Sequence, residues 1–543
     1  MSNRAGAMLA RMKTHAAALV AILALGLSCS SGAVSGQGAP DGGTMPSDGS
    51  ADACGAGKLE CSGTCVDTTS DVVNCGGCGH TCGAGGACCG SICNTTASCA
   101  FSVTQVSPPY GFQNGGDYVT LTGSGFTPGM RVMLGDGRAP ALVISATEAR
   151  IQTPPAPPGY VDVTIASGAS SATLPHAFQY ALGGLTTPWQ QKPMATVRGE
   201  DPGVAVMQDG RVLIAGGTTV PDSTTDALAT AEIYTRDTDV VTSAANSMSG
   251  PRWQNAAVTL LDGRVLVFGG ACDVDLGGCN SATLPRSADL FDPKTNSFSP
   301  SKASLSVARV YPRAVLLPDG RVFISSGNAP SVDLYDPTTD TFKTIAHTTL
   351  HQWGFVVRLR DGRVLIGGGD GGVTAAELFD PATDTFTPTG AMTQGRSMLT
   401  AHTLPDGRVL VIGGSSKSAG AVTDPLASLE VFDPTAGTFS AVAYKLSIGR
   451  TWQASALVRD GTVLVMGGYT VTGQCDSLTD SVDQIDPVKG TSTVFATLPN
   501  KNTEWNAVTL ADGSVLGVGG GACGTATALP DLDFLPGSPT VIH

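Results

Sequence analysis

The chain has 543 residues, 42% hydrophobic and 14% charged, and its 31 Lys and Arg against 45 Asp and Glu leave a net charge of −14. That balance excludes a phosphate-binding face and with it a nucleic-acid partner, and the apolar content excludes a wholly disordered chain. The length implies about three to four domains, and seventy glycines, nearly twice the usual share, imply many tight turns and an all-β protein.

Arg4, Arg11 and Lys13 precede an apolar run from Ala16 to Leu27. A basic stretch followed by about a dozen apolar residues reads as an export signal and is too short to span a bilayer. No transmembrane helix is expected elsewhere. The run ends at Gly26-Leu27-Ser28-Cys29, which resembles a bacterial lipoprotein signal, although Leu25 stands four residues before the cysteine where that pattern prefers three. The resemblance implies removal of residues 1–28, lipidation of Cys29, and a membrane-anchored protein at the outer membrane or cell surface of a Gram-negative bacterium. Residues 29–53, mostly Ser, Gly, Ala, Pro and Asp, are expected to be a flexible tether.

Ten of the fifteen cysteines fall between Cys54 and Cys99. A segment this short cannot build a core and needs staples, and outside the cytoplasm those are disulfides. The rival reading is a metal site around Cys75-x-x-Cys78, which would need reduced thiols. Spacing does not give the pairing. The phrase Gly63-x-Cys65-Val66-Asp67 through Asn74-Cys75-Gly76-x-Cys78-Gly79 to Cys82 resembles a cysteine-rich module of secreted myxobacterial proteins, which implies a stalk or surface role for residues 54–100. Of the later cysteines, Cys272 and Cys279 close a short loop and are candidate partners, leaving Cys475 and Cys523 as the other pair.

Residues 101–182 alternate β-branched runs with proline-marked loops. Val119 to Phe126, Val132 to Gly135 and Val161 to Ile165 read as short strands of an antiparallel sandwich. Pro108-Pro109, Gly111, Gly115-Gly116, the run Val119 to Phe126 and Phe178-x-Tyr180 resemble the IPT/TIG immunoglobulin-like family. The resemblance implies a binding or spacer module.

From residue 183 to 543 one pattern repeats. Asp-Gly recurs at Asp209, Asp262, Asp319, Asp361, Asp406, Asp460 and Asp512. Seven residues after each Asp comes Gly-Gly, or Ser-Gly at 326–327. An apolar strand lies between the two signals, and a second strand ends in Asp-Pro in most repeats. Asp-Gly supplies the positive φ of a tight hairpin turn, Gly-Gly lets the chain turn where packed sheets leave no room, and Asp-Pro starts a turn into a fourth strand. One such unit cannot bury both faces of its sheet, so the units must stack radially. The pattern resembles the kelch family and implies a seven-bladed β-propeller of the galactose-oxidase-like superfamily. The short last repeat implies that Thr186-Thr187-Pro188-Trp189 supplies its fourth strand and closes the ring.

Ten residues before four of the Asp-Gly turns stand Arg252, Arg309, Arg396 and Arg450, and before a fifth stands His351. Trp253, Trp353, Trp452 and Trp505 lie close by. At the start of the innermost strand, these nine residues would ring one mouth of the central channel. They could stack on sugars or pair with acidic groups, or they could serve only to bond and pack the blades. The Asp of Asp-Gly and Asp-Pro are read as turn residues, and no catalytic residue is assigned. The expected role is non-catalytic recognition of a surface glycan or protein. No cofactor, metal or oligomer is expected. The alternative is a hydrolase or lyase using Arg and His351 as acid and base. A copper oxidase is the lesser alternative, because none of the propeller's histidines follows a tyrosine.

Overall fold

The computed structural model describes residues 59–61, 64–66, 71–75, 77–89, 92–94, 101–185, 189–199, 201–219, 226–271, 286–325, 329–347, 349–416, 425–471, 477–521 and 531–538. Cys29, the signal and tether, and Cys272, Cys279, Cys475 and Cys523 lie outside the described residues. The fold is all-β: a disulfide-bonded segment, an immunoglobulin-like sandwich and a seven-bladed propeller. Among the described residues no helix is long and apolar enough to cross a membrane.

Among the described residues of the first segment, disulfides join Cys61–Cys78, Cys75–Cys88 and Cys82–Cys93, and Cys65 is disulfide-bonded as well. Cys75 and Cys78 are therefore bonded to different partners and do not form a thiol pair for a metal. The sandwich packs a four-stranded sheet on a five-stranded one. Alternate residues point inwards, so Val119, Leu121, Val132, Leu134, Ile151, Val163, Ile165 and Phe178 share one core. One pairing departs from the antiparallel expectation: Tyr110–Phe112 runs parallel to Ser170–Ala181.

Seven four-stranded sheets follow, each a meander from the axis outwards. Their innermost strands are Gly203–Val206, Ala256–Thr259, Arg313–Leu316, Phe355–Arg358, Thr400–Thr403, Ala454–Leu457 and Thr503–Thr509, which number blades 1 to 7. The second strands are apolar throughout because both faces are buried. In blade 2, Val265 and Val267 pack on blade 1, while Leu266 and Phe268 pack on blade 3. Val212 and Ile214 of blade 1 pack on Leu516 and Val518 of blade 7, so the ring closes. Gln190–Pro193 forms the outermost strand of blade 7, paired with Asp531–Leu535. The closing strand thus begins just after Trp189, a few residues later than the sequence implied.

The repeated signals have mechanical roles. Each Asp-Gly glycine has positive φ, as at Gly210 (84°), but its Asp does not. The glycine ends a four-residue turn, with Gly210 N donating to Met207 O at 3.0 Å. The Asp side chain accepts the N–H two residues on, as Asp209 does from Arg211 N at 3.1 Å. Asp-Pro carboxylates do the same, for example Asp292 with Lys294 N. Across the following turn the aromatic pairs Phe291–Phe298, Phe379–Phe386 and Phe432–Phe439 meet in register. The double glycine locks neighbouring blades. Gly270 N donates to Arg309 O of the next blade at 2.8 Å, and a Cβ on Gly269 would lie 2.6 Å from that same oxygen.

The sandwich sits against the Asp-Gly end of the propeller. Arg138 N donates to Arg360 O at 2.6 Å and Ala141 N to Pro318 O at 3.1 Å. Arg150 donates to Gln208 at 2.9 Å, and Tyr118 OH to Thr259 O at 3.4 Å. Arg459 of blade 6 lies over the Phe112 ring. Tyr118 and Gln152 reach the last residues of the inner strands, where Arg358 donates to Leu316 O and to Gln152. Burial pushes the Arg358 guanidinium down to about 10, against the opposing pull of Tyr118 and Tyr180.

Candidate functional site

The arginines expected at the mouth do not face it. Arg252, Arg309, Arg396 and Arg450 are fully buried, at 0–1% exposure. Each is paired with an acid on the third strand of its own blade: Asp289 at 2.7 Å, Asp333 at 2.9 Å, Glu430 at 3.1 Å and Asp483 at 2.9 Å. The same guanidinium group donates to backbone carbonyls; Arg396, for example, reaches Gly413 O at 3.0 Å and Ser428 O at 2.8 Å. The acid in turn accepts the backbone N–H groups of the preceding loop, as Glu430 does from Thr393 and Gln394. With its donors used internally, this layer ties loop to blade and has little left for a ligand. His351 is also buried; it takes the arginine's place in blade 4, bonded to Gly368 O at 2.6 Å, with its Nε2 3.3 Å from Glu377. Blade 1 has the same pair as Arg198–Glu232, which the count of ten missed because Arg198 stands eleven residues before its Asp.

The tryptophans occupy three different positions. Trp505 lies in an inner strand and packs into the core between blades 6 and 7. Trp253 bridges Ala271 through its backbone and is half-buried. Trp353 and Trp452 share one position, eight residues before Asp-Gly. In all seven blades the residue there is a non-glycine in the left-handed region: Asp201 (φ 47°), Gln254 (53°), Tyr311 (52°), Trp353 (57°), Met398 (53°), Trp452 (54°) and Glu504 (54°). Their backbones are linked around the mouth: Met398 N to Trp353 O, Trp452 N to Met398 O, Glu504 N to Trp452 O, Asp201 N to Glu504 O, and Tyr311 N to Gln254 O. This girdle holds a backbone conformation that L side chains rarely adopt.

The ring's side chains meet across the mouth. Tyr311 packs on Trp452 at 4.8 Å with the rings tilted, and Trp353 approaches Trp452 edge-on at 6.4 Å. Gln254 bonds the Tyr311 hydroxyl, which donates to Glu504 of blade 7 at 3.4 Å. Among the inner strands lies a cavity of about 190 Å³, lined by Asp201, Arg313, His402, Ser455, Glu504 and Asn506 together with the edges of Trp452 and Trp505. His402 bonds Ser455 at 2.7 Å, and burial pushes its imidazole down to about 4. Burial pushes the Asp201 carboxyl up to about 6, opposed by the charge of Arg313.

Asp201 gives a pH prediction. Its folded pKa stands above the unfolded value, so the folded state holds the proton more tightly. The stabilisation is complete below about pH 4 and lost as pH rises through 6. The gap corresponds to about 3 kcal/mol, and solvent at the carboxyl's exposed edge reduces this to about 1–2. Asp201→Asn should therefore gain about 1–2 kcal/mol on the wild type between pH 4 and pH 8. Parallel urea-stability profiles for the two proteins would contradict this.

Residues 102–180 match the IPT/TIG domain family. An F-box/kelch-repeat protein of Arabidopsis thaliana is 26% identical over 244 residues, 43% of this chain and 60% of that protein. The chain therefore spans less than two thirds of that relative's length. A fungal alcohol oxidase of the AA5 family, solved in complex with copper, is similar over 65% of this chain and 76% of its own, with a TM-score of 0.52 and 18% identity. That likeness is one of fold. A solved structure of YjhT is similar over 56% of this chain and 98% of its own, with a TM-score of 0.40 and 16% identity. The axial cavity does not fit copper: His402 is the one histidine among its described lining residues.

Proposed function

We propose that the propeller is a non-catalytic binding head that recognises a surface glycan or protein at the girdled mouth. One observation carries this reading. Seven blades hold the same left-handed backbone at the mouth, yet they present Asp, Gln, Tyr, Trp, Met, Trp and Glu. The buried arginine layer keeps one chemistry across five blades because its task is structural. The ring keeps the geometry and varies the side chain, as a recognition surface requires. Strain held at equivalent positions also marks functional sites, and aromatic anchors beside carboxylates suit a sugar face or a polar peptide. The kelch-repeat relative and the IPT/TIG match favour a binding role. We place the protein outside the cytoplasm, anchored through Cys29 with the sandwich and the disulfide segment as stalk. The three disulfides fit that setting.

The test is to probe glycan and secreted-protein arrays with the full chain. Trp353→Ala removes a half-exposed ring member outside the blade cores and should weaken the captured ligand at least about tenfold. Undiminished binding would remove the mouth from consideration. A second reading has one specific support: Asp201, held up to about 6, shares its cavity with Glu504 and His402, as an acid–base pair would. A hydrolase or lyase would turn over a polysaccharide on the array and lose that turnover in Asp201→Asn.

A further inference from the structure

Blade 4 breaks the rule of the buried layer. In blades 1, 2, 3, 5 and 6 a guanidinium group faces the third-strand acid. In blade 4 the acid is Glu377, and two imidazoles stand in the guanidinium's place. His351 Nε2 lies 3.3 Å and His347 Nδ1 3.4 Å from the same oxygen, Glu377 Oε2. All three side chains are at most 4% exposed.

The hydrogen bonds show what is missing. His351 Nδ1 lies 2.6 Å from Gly368 O, which can only accept, so this nitrogen carries the ring's proton. Its Nε2 then turns a lone pair, not a proton, towards the carboxylate. Two acceptors 3.3 Å apart need a positive centre between them. His347 Nδ1 is buried without a hydrogen-bond partner and is aimed at the same oxygen. Asp333 nearby is already matched by Arg309.

We propose that His347, His351 and Glu377 form a zinc site inside blade 4, with the ion in the position that a guanidinium holds in five of the other blades. Zinc takes imidazole nitrogen and carboxylate oxygen at about 2.0–2.1 Å, so neighbouring ligand atoms of a tetrahedron stand about 3.3–3.4 Å apart. The two measured separations match that edge. All three donor atoms fall within 4.8 Å of one another. The Gly368 carbonyl fixes the tautomer and ring orientation of His351, as outer partners of metal-binding histidines do. Phe386, 5.2 Å from the His347 ring, closes the apolar side. The site lies within one blade, away from the axial cavity. Its role is to clamp the loop before the inner strand to the third strand.

The experiment uses the full chain, stripped with EDTA and then offered Zn²⁺ and Mn²⁺ in competition. Metal content and thermal stability are measured. The expected result is one zinc per chain, a raised melting temperature, and tetrahedral visible bands on substitution with Co²⁺. Two variants locate the ion. His351→Arg restores the guanidinium–acid pair of the other blades, so it should fold in EDTA as well as wild type yet take up no zinc. His347→Gln should weaken zinc binding at least about 100-fold, and it decides the matter if His351→Arg does not fold. No zinc uptake by the wild type, preference for manganese over zinc, or equal uptake by the variants would overturn the assignment.

Discussion

Replacing Arg396 by alanine is expected to destabilise the propeller by about 3–5 kcal/mol. The side chain and its partner Glu430 are both buried, and the truncation leaves a carboxylate inside the protein with backbone N–H donors but no cation. Two carbonyls, Gly413 O and Ser428 O, lose a donor as well. The pair's net worth is far smaller than the cost of breaking it, because both charges gave up their hydration. Arg396→Met combined with Glu430→Leu should therefore recover most of the loss. Urea unfolding of the three proteins, followed by tryptophan fluorescence, measures this. A single variant within about 1 kcal/mol of wild type would show that the ion-pair layer is incidental.

Gly269→Ala should cost roughly 2–5 kcal/mol, and its control is Gly210→Ala. Both glycines have positive φ, 64° at Gly269 and 84° at Gly210. Each alanine pays a backbone penalty of about 1–2 kcal/mol. At Gly210 the new methyl meets nothing nearer than 3.9 Å, whereas at Gly269 it would lie 2.6 Å from Arg309 O of the next blade. That oxygen is also the acceptor for Gly270 N, so moving it strains the bond that joins the blades. Overpacking of this kind adds about 1–3 kcal/mol. Equal losses in the two variants would mean that the clash is relieved by movement elsewhere.

The repeat architecture was legible because turn chemistry is local. Asp-Gly, Gly-Gly and Asp-Pro each demand a backbone conformation at their own position, so seven copies in register announce seven sheets. The direction of a side chain is not local. Arg252 and Arg450 recur at a fixed distance from Asp-Gly, and that distance alone does not say whether they face the axis or a buried acid. Their partners stand 37 and 33 residues later, beyond loops of differing length. The mouth ring was hidden for the opposite reason. Asp201, Gln254, Tyr311 and Met398 share a backbone state but no residue type, so only a count of eight from each turn would have found them. The disulfide pairs were equally opaque, since Cys75 and Cys78, neighbours in sequence, take partners on different strands and loops.

The closing strand also decides how the molecule bears load. Gln190–Pro193 follows shortly after the sandwich and lies on the outer edge of blade 7, antiparallel to Asp531–Leu535. A tug on the N-terminal side is taken first by the sandwich where it rests on the propeller, and then by this seam. The wheel is buckled where the leash is tied, so tension strong enough to undo the buckle frees the rim of blade 7 while six blades keep all four of their strands.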